Sequence, residues 1–382
     1  MTFKEIIEET MKVLNRQDVL DMLKGCVILG TGGGGSLDEG LELIEEVEKL
    51  NKTIKLADIN DIPDDAMIVT PYFLGAVSEL PEEERKKYEG LPAATENPFM
   101  TAANELESFY KRPVYGTIAC ETGGSNTAVP MYVAALKSGV ILDADLAGRA
   151  VPEVQNSTYY IHNLPASPIF VSNEFGEVAI YKNIKDDLRA ERILRSFASE
   201  SKNTIAAIDH ALPMKMLRHA IIPGTLSKAL DLGLAHRKAI ERKDNVAIAL
   251  AEAAGGIVVF SGTIEQFDWK TEAGFTIGSF QAKGFDPCSG DRLKVWFKNE
   301  NLMSWLNGEL FVTLPDLICV IDIESGEPVS NPNYEEKMEI AVIVYPAPEA
   351  FTTPRGLEAF GPRTFGFDVE YIPAIGRVKA IH

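Results

Sequence analysis

Short apolar runs alternate with longer amphipathic stretches through the first half of the chain. Apolar runs bounded by turn residues predict strands, and amphipathic stretches of about 10 to 15 residues predict helices. The predicted strands are 25–29, 53–57, 66–71, 114–120 and 140–142, and the predicted helices are 37–50, 98–111 and 128–138. This alternation is typical of a parallel sheet with helices on both faces, in which ligands bind beyond the carboxyl ends of the strands.

The pattern changes in the second half of the chain. It predicts in turn a hairpin, a helix, a strand and a largely helical stretch, at 170–182, 186–199, 204–210 and 224–254. From 256 to 345, short apolar runs are separated by Gly, Asn, Asp and Pro, which predicts a compact β sandwich or barrel. The Pro- and Gly-rich stretch 346–362 has no periodicity, so we expect it to lie over another surface.

These patterns together predict an α/β fold. Its N-terminal domain is expected to hold a parallel sheet with helices on both faces, and its smaller C-terminal domain to be β-rich, like a barrel or a sandwich. The expected divisions are a glycine-loop α/β domain at 1–170, a mixed helical segment packing on it at 171–254, the β-rich domain at 255–345, and a tail returning to the domain interface at 346–382.

The composition narrows the class of partner. The 382 residues carry a formal net charge of −19, which argues against nucleic acid and anionic membranes. The first residues lack the pattern of a signal peptide, and no apolar stretch reaches the ~18 residues of a membrane-spanning helix. The four cysteines are far apart without CxxC spacing, which is typical of reduced thiols. We expect a cytoplasmic homo-oligomer that binds a small-molecule substrate.

A glycine-rich loop is the most informative motif. Five of its six residues are glycine, and the loop reads Gly30, Thr31, Gly32, Gly33, Gly34 and Gly35. With a predicted strand before it and a predicted helix after it, the loop would present free backbone N–H groups and a positive helix end to a ligand. The alternative is a tight turn without a ligand.

The same glycines leave the kind of ligand open. Gly30, Gly32 and Gly35 satisfy the Gly-x-Gly-x-x-Gly dinucleotide pattern, and Asp58 follows the next predicted strand. Asp58 lies 28 residues after Gly30, however, whereas a ribose-binding acid is expected after ~20. The loop is not a Walker phosphate loop, because no Gly-Lys-Ser/Thr follows it.

Two further loops follow predicted strands and carry polar side chains. The second loop provides possible ligand-binding and catalytic groups at Glu121, Gly123, Gly124 and Asn126. The third loop provides Asp143, Asp145, Arg149 and Glu153. If all three loops meet at one sheet edge, backbone donors lie beside carboxylates. That combination suits hydrolytic or acid–base chemistry on an amide-like group, where donors stabilise an oxyanion and a carboxylate moves a proton.

Each of these side chains also has a structural interpretation. Asp143 and Asp145 could bind a divalent metal, cap a turn or pair with Arg149. Arg149 could hold a substrate carboxylate or only neutralise Asp145. Cys120 could be a nucleophile at a helix N-terminus or an inert buried thiol. His210, at the end of a predicted strand, is either a general base or structural.

Four segments together resemble the S-methyl-thiohydantoin desulfurase family, which is related to hydantoinases and oxoprolinases. They are 29–35, 121–126, 143–153 and 361–366, in this order, and the resemblance extends from about Leu20 to the C-terminus. It implies an N-terminal α/β domain with a parallel sheet and a β-rich second domain. It also implies hydrolysis of a five-membered cyclic imide or thiohydantoin, with the matched positions in the three loops forming the site.

We therefore expect a hydrolase of a small cyclic amide, hydantoin or thiohydantoin. The glycine loops would donate N–H groups to the ring carbonyl, Glu121 or an Asp of the third loop would activate water, and Arg149 would hold an anion. One alternative is a nicotinamide-dependent oxidoreductase that uses the dinucleotide pattern and Asp58. Another is a non-catalytic binding subunit of a hydantoinase-like complex. The sequence assigns no cofactor and no metal.

Overall fold

The computed structural model describes residues 11–75 and 82–378. Within them, the strands are β1 Lys12–Leu14, β2 Ile54–Ala57, β3 Met67–Gly75, β4 Gly116–Ala119, β5 Val140–Asp145, β6 Ile169–Ser172, β7 Val178–Tyr181, β8 Thr204–Pro213, β9 Ile222–Pro223, β10 Ile257–Glu272, β11 Phe275–Gly284, β12 Arg292–Lys298, β13 Glu300–Leu306, β14 Glu309–Thr313, β15 Leu317–Asp322 and β16 Glu339–Tyr345.

The same residues form the α-helices. These are α1 Arg16–Leu29, α2 Leu37–Lys49, α3 Glu82–Arg85, α4 Pro98–Tyr110, α5 Gly124–Leu136, α6 Thr158–Ile161, α7 Asp187–Ser199, α8 Met214–Leu217, α9 Thr225–Arg242, α10 Val246–Ala254, α11 Glu349–Thr352 and α12 Pro354–Phe360. No helix in the described part of the chain is both long and apolar enough to cross a lipid bilayer.

The first sheet is mixed. Its strand order is β1-β2-β5-β4-β3-β8-β6-β7, with β9 paired to β5. The pairs β2–β5, β5–β4 and β4–β3 are parallel, as the alternation of strands and helices predicted. Strand β8 pairs antiparallel with β3 along most of its length and with the hairpin strand β6. The two-part α/β class is therefore confirmed, with an antiparallel extension on the expected parallel sheet.

The second sheet is antiparallel throughout. Its order is β14-β13-β12-β11-β10-β16-β15, and it curls into a half-barrel. Alternate residues of β15 and β16 face opposite sides, as a strand requires. Cys319 and Ile343 pack against the helices of the first part, whereas Val320 and Val342 pack inside the curl beside Phe280. The predicted β-rich C-terminal region is confirmed.

The predicted strand at 25–29 is wrong, because these residues are the last turns of helix α1. The helix begins with a capping box in which Asn15 and Asp18 satisfy each other's backbone N–H groups. All five residues from 25 to 29 are buried. A helix end that is buried on every side appears in the sequence as a short apolar run, which periodicity cannot distinguish from a buried strand.

Two glycines allow helix α1 to pack closely on helix α9. A Cβ atom on Gly25 would lie 1.7 Å from the backbone oxygen of Ala229, and one on Gly233 would lie 1.6 Å from the backbone oxygen of Asp21. Only glycine fits at both contacts. The two helices and α10 share one core with the outer residues of β15 and β16, so they join the two sheets.

The Pro- and Gly-rich stretch near the C-terminus contains the short helices α11 and α12. Phe351 and Phe360 from these helices are buried in one cluster with Ala147 of the first part and Leu302 of the second sheet. The stretch thus contacts both parts of the molecule.

Candidate functional site

A cavity of about 220 Å³ lies at the carboxyl ends of β3, β4 and β5, beside the first residues of β13. A cavity of this size has room for several water molecules or for a small ligand. The described polar residues that line it are Ser36, Glu39, Thr70, Tyr72, Cys120, Glu121, Ser125, Asn126, Glu153, Ser157, Glu191, Arg195, Thr204, Asp209, His210, Asn299 and Glu300.

Only the last glycines of the glycine-rich loop reach this cavity. Gly34 and Gly35 line it, followed by Ser36, which caps the N-terminus of α2. Gly34 has φ +82°, and a Cβ atom there would lie 2.4 Å from the Cα atom of Gly123. The glycine loop and the second loop therefore cross at backbone contact distance. This crossing brings the N-termini of α2 and α5 to the same wall of the cavity.

The first residues of the glycine loop contact the rest of the protein. The Gly30 N–H closes helix α1 by donating to Cys26 at 2.7 Å. The carbonyl groups of Thr31 and Gly32 accept from the backbone N–H groups of Asn301 and Asn331, both at 2.8 Å. A Cβ atom on Gly33 would lie 1.9 Å from a carboxyl oxygen of Glu300. Gly30 thus ends helix α1, and Thr31, Gly32 and Gly33 lie against the second part of the chain.

The dinucleotide pattern does not have its expected setting. A dinucleotide-binding loop follows a strand, and here the first glycine follows helix α1. Asp58 accepts the backbone N–H of Asn60 at 2.8 Å and so caps a short 3-10 turn. The geometry therefore gives no support to a nicotinamide-binding site at Gly30, Gly32, Gly35 and Asp58.

Glu121 is held firmly in the cavity wall. One carboxyl oxygen accepts from the Asn126 side chain at 2.7 Å, and the other accepts from the Val151 backbone N–H at 2.6 Å. Asn126 is itself fixed, because its side-chain oxygen accepts from the Phe73 N–H at 2.9 Å. Burial raises the pKa of Glu121 to about 7, although both hydrogen bonds favour the ionised form. Glu121 can therefore gain and lose a proton near neutral pH.

Glu300 provides a second carboxyl group in the same cavity. It is the first residue of β13 and is buried. Burial, together with the negative charge of Glu121, raises the pKa of Glu300 well above its ordinary value. Its Oε2 atom has no hydrogen-bond partner among the described residues. Glu300 thus holds its proton to a higher pH than an ordinary carboxyl group and has a polar atom available to a ligand.

Asp209 and His210 form a buried pair at the end of β8. The Nδ1 atom of His210 lies 2.7 Å from an oxygen of Asp209, and its Nε2 atom lies 3.1 Å from the carbonyl oxygen of Leu164. Since both partners are acceptors, both ring nitrogens donate. Burial lowers the pKa of His210, but the charge of Asp209 and its hydrogen bond outweigh this effect and raise it overall. With both ring nitrogens bonded to acceptors, His210 has no free lone pair with which to act as a general base. Tyr72 donates its hydroxyl to Asp209 at 2.9 Å.

The two aspartates of the third loop lie outside the cavity lining. Asp143 accepts the backbone N–H of Ser227 at 2.9 Å and its hydroxyl at 2.5 Å, and so caps helix α9. Asp145 accepts the N–H of Gly148 with both oxygens, at 2.9 and 2.8 Å. Burial raises the pKa of Asp145 to about 7. The Asp143 carboxyl group is thus bonded to α9, and the Asp145 carboxyl group is bonded to the turn at Gly148.

Arg149 also lies outside the cavity lining, and all five of its N–H groups donate within the protein. The acceptors are Ala150 O at 3.0 Å, Pro315 O at 3.2 Å, Asp316 O at 2.9 Å, Thr31 Oγ1 at 2.8 Å and Asn301 O at 3.1 Å. The guanidinium group is fully buried over the ring of Phe360. A substrate carboxylate would have to displace these bonds to reach it.

Other sequence-predicted residues lie at the cavity. Glu153 lines it and pairs with Lys298, while accepting a hydrogen bond from Gln155. Gly124 begins helix α5, next to Ser125 at the cavity wall. Cys120 also lines the cavity, but burial and the charge of Glu121 raise the pKa of its thiol well above its ordinary value. Cys120 is thus an un-ionised thiol rather than an activated nucleophile.

Three residues of the site belong to none of the motifs found in the sequence. They are Tyr72, Asp209 and Glu300. Tyr72 and Asp209 meet because β3 and β8 pair antiparallel, and Glu300 arrives from the second sheet. The one available signal was the adjacent Asp209-His210 pair at a predicted strand end. In residues 11–75 and 82–378, no group of three or more His, Cys, Asp or Glu side chains is arranged to hold a metal ion.

The fold and site thus define a two-part α/β protein with a small, carboxyl-rich cavity between two sheets. Family models described as the S-Me-THD-like N-terminal and C-terminal domains match residues 17–183 and 185–374. The chain therefore belongs to the S-methyl-thiohydantoin desulfurase-like family, as the resemblance in its sequence indicated.

The chain is also similar in fold to a solved structure. A crystal structure of a protein from Chromobacterium violaceum, determined by the Northeast Structural Genomics Consortium, has a TM-score of 0.76 and 23% sequence identity. The similarity covers 95% of this chain and 100% of the other. No curated protein matches the chain.

Proposed function

We propose that this protein is a hydrolase of small cyclic amides, such as a hydantoin, a thiohydantoin or a related imide. The observation that carries the proposal is the pair of buried carboxyl groups in one cavity, Glu121 and Glu300. Burial raises the pKa of both groups, to about 7 for Glu121 and well above its ordinary value for Glu300, where the charge of Glu121 adds to the effect. Two carboxyl groups with different proton affinities in one site are the usual arrangement for general acid–base catalysis.

In the proposed reaction, ionised Glu121 takes a proton from water as the water oxygen attacks a ring carbon. Protonated Glu300 gives its proton to the departing atom. With an S-methyl-thiohydantoin, the new C–O bond replaces the C–S bond, methanethiol leaves with the proton, and a hydantoin remains. With a hydantoin, the ring C–N bond breaks and the nitrogen receives the proton. The N-termini of α2 and α5 would stabilise the negative charge that forms, on the carbonyl oxygen of a hydantoin or on the ring nitrogen of an S-methyl-thiohydantoin.

The remaining sequence candidates have supporting roles in this proposal. Asn126 fixes Glu121, and Gly34, Gly35, Gly123 and Gly124 let the two helix N-termini approach the substrate. Asp143, Asp145 and Arg149 hold the third loop and the second sheet in place around the cavity, and Glu153 holds Lys298. A cytoplasmic location and a homo-oligomeric state remain part of the proposal, and the four free thiols support the location.

Turnover of a substrate panel tests the proposal. The purified chain is incubated with S-methyl-thiohydantoin and a series of hydantoins, and methanethiol and ring-opened product are measured. We expect Glu121→Gln and Glu300→Gln each to lower kcat by roughly 10²–10⁴-fold, because each removes a proton-transfer group but keeps the side-chain size.

Glu309→Gln serves as the matched control, because Glu309 is an exposed carboxylate on β14 at the edge of the second sheet. Its turnover should equal that of the wild type. Absence of turnover on the whole panel, or full activity in both cavity variants, would rule out the proposed hydrolase.

A further inference from the structure

Among the described residues that surround the cavity, each cation already has a partner inside the protein. Arg195 lines the cavity, but its Nε donates to Glu191 at 2.6 Å and its Nη1 donates to the carbonyl oxygens of Gly75 and Gly274 at 2.8 and 3.0 Å. Its guanidinium group also lies over the ring of Phe275. The charge of Arg195 is thus paired with Glu191, while its Nη2 donates a long bond of 3.4 Å to the carbonyl oxygen of Pro152.

The other positive charges near the cavity are neutralised in the same way. Lys298 pairs with Glu153, and the ring of His210 pairs with Asp209 at 2.7 Å. The Arg149 guanidinium is turned toward the second sheet, with all five N–H groups used. Each positive charge therefore already has a partner inside the protein.

Three acidic side chains at the cavity have no cationic partner among the described residues. Glu39, Glu121 and Glu300 line the cavity, and none forms a salt bridge with a lysine or arginine in residues 11–75 and 82–378. A ligand carboxylate would lose its hydration without gaining a cation and would face the charge of Glu121. The two helix N-termini offer partial charges only, and Glu39 lies in the first turn of α2, where it offsets one of them.

Some groups of the lining can only accept hydrogen bonds from a ligand. The hydroxyl hydrogen of Tyr72 is donated to Asp209, so toward a ligand Tyr72 can only accept. Ionised Glu121 accepts with both oxygens and retains further lone pairs. These groups are satisfied by a ligand that brings its own N–H groups.

We propose that the ligand of this cavity is an uncharged ring that donates N–H groups and carries no anionic substituent. This inference rests on the proposed function and names its substrate class. It implies that the protein discriminates by charge among rings of equal size. Cyclic amides with short neutral side chains are accepted, and the same rings with a carboxylate side chain are rejected.

A pair of isosteric probes tests the inference. Hydantoin-5-acetamide and hydantoin-5-acetic acid have the same number of non-hydrogen atoms and differ in charge at pH 7. We expect the amide to bind the full chain at least ~30-fold more tightly than the acid in isothermal titration calorimetry, since like charges oppose binding of the acid. Equal binding, tighter binding of the acid, or no binding of either compound at millimolar concentration would overturn the inference.

A variant then tests the cause of the preference. Glu153→Gln removes the partner of Lys298 and so leaves an unpaired cation beside the cavity. The preference for the amide should shrink by at least ~5-fold, chiefly through tighter binding of the acid. Glu309→Gln removes an equal charge at the edge of the second sheet and should leave the ratio unchanged. An unchanged ratio in a folded Glu153→Gln protein would contradict the proposed cause.

The binding and turnover results are separable. If the amide binds selectively but is not hydrolysed, the ligand class stands and the proposed hydrolase fails. If both compounds are hydrolysed with equal kcat/KM, the hydrolase stands and the charge selectivity fails.

Discussion

Burial, more than charge pairing, sets the proton affinity of single carboxyl groups at this site. Glu121 keeps a raised pKa of about 7 despite two hydrogen bonds that favour its ionised form. Asp145, which accepts the Gly148 N–H with both oxygens, has its pKa raised to about 7 for the same reason. The free energy that the ionised groups lose on removal from water therefore exceeds the free energy that they gain from their hydrogen bonds.

This raised proton affinity has a consequence for stability. The pKa of Glu121 rises from 4.5 to about 7, so the folded protein keeps its proton longer than the unfolded chain does. As the pH increases through this window, the unfolded chain binds fewer protons, and the free energy of unfolding falls. Below this pH range Glu121 does not destabilise the folded protein, and above it the destabilisation by its ionised form is complete.

We expect Glu121→Gln to remove this contribution. The stability of the wild type relative to Glu121→Gln should decrease as the pH is raised from about 4.5 to about 7 and then level off, because only the wild type carries this titrating group. Urea denaturation of both proteins across this range measures the difference. Glu309→Gln, which changes an exposed carboxylate, should show no comparable trend. A difference that is constant, or that grows in the opposite direction, would show that Glu121 does not titrate there.

Several residues of the cavity could be found from the sequence, because each lies in a polar segment that follows a predicted strand. Glu121, Asn126 and Glu153 were predicted in this way and line the cavity. Asp209 could not be found so, because it lies within a predicted strand. Glu300 follows the apolar run 293–297 in a polar segment, but nothing in that segment indicates contact with a cavity of the first part. Their place depends on which strands pair and on how the two sheets meet, and no local pattern encodes either.

At the level of elements, the glycine loop joins two helices instead of a strand and a helix. The helix following the loop was predicted correctly, because Ser36 caps it and apolar residues recur along one face of α2. The preceding element was predicted wrongly, since the end of α1 is apolar all round. The loop remains glycine-rich because other backbone segments touch it. Gly34 meets Gly123, and Gly33 meets Glu300.

The contact between the two loops predicts a specific effect of Gly34→Ala. Gly34 and Gly308 both have positive φ, +82° and +85°, but a Cβ atom on Gly34 would lie 2.4 Å from Gly123, whereas nothing lies within 4 Å of one on Gly308. Gly308→Ala should cost about 1–2 kcal/mol, the price of the left-handed conformation. Gly34→Ala should cost more and should also abolish turnover, because the loops must separate. Equal losses of stability with activity retained would contradict the packing role.

At the scale of the whole molecule, the site depends on how the two sheets are joined. The cavity takes Glu121 from a loop of the first part and Glu300 from the second sheet. Arg149 links the same two parts, because it donates to Thr31 in the glycine loop and to carbonyl oxygens of Asn301 and Asp316 in the second. The two-part α/β fold was predictable from the change of pattern along the chain. The buried link through Arg149 was not predictable from the sequence, because its acceptors are mostly backbone carbonyl groups.

Replacement of Arg149 should therefore weaken the whole molecule. Arg149→Met removes all five N–H donors and leaves buried acceptors of both parts without partners, so we expect a loss of ~3–5 kcal/mol in the free energy of unfolding. Arg292→Met is the matched control, because Arg292 pairs with Glu265 on the surface, where such a pair contributes at most ~1 kcal/mol. Urea denaturation measures both losses. If Arg149→Met lost no more stability than Arg292→Met but failed to bind hydantoin-5-acetamide, Arg149 would be a ligand-binding residue rather than the link between the two parts.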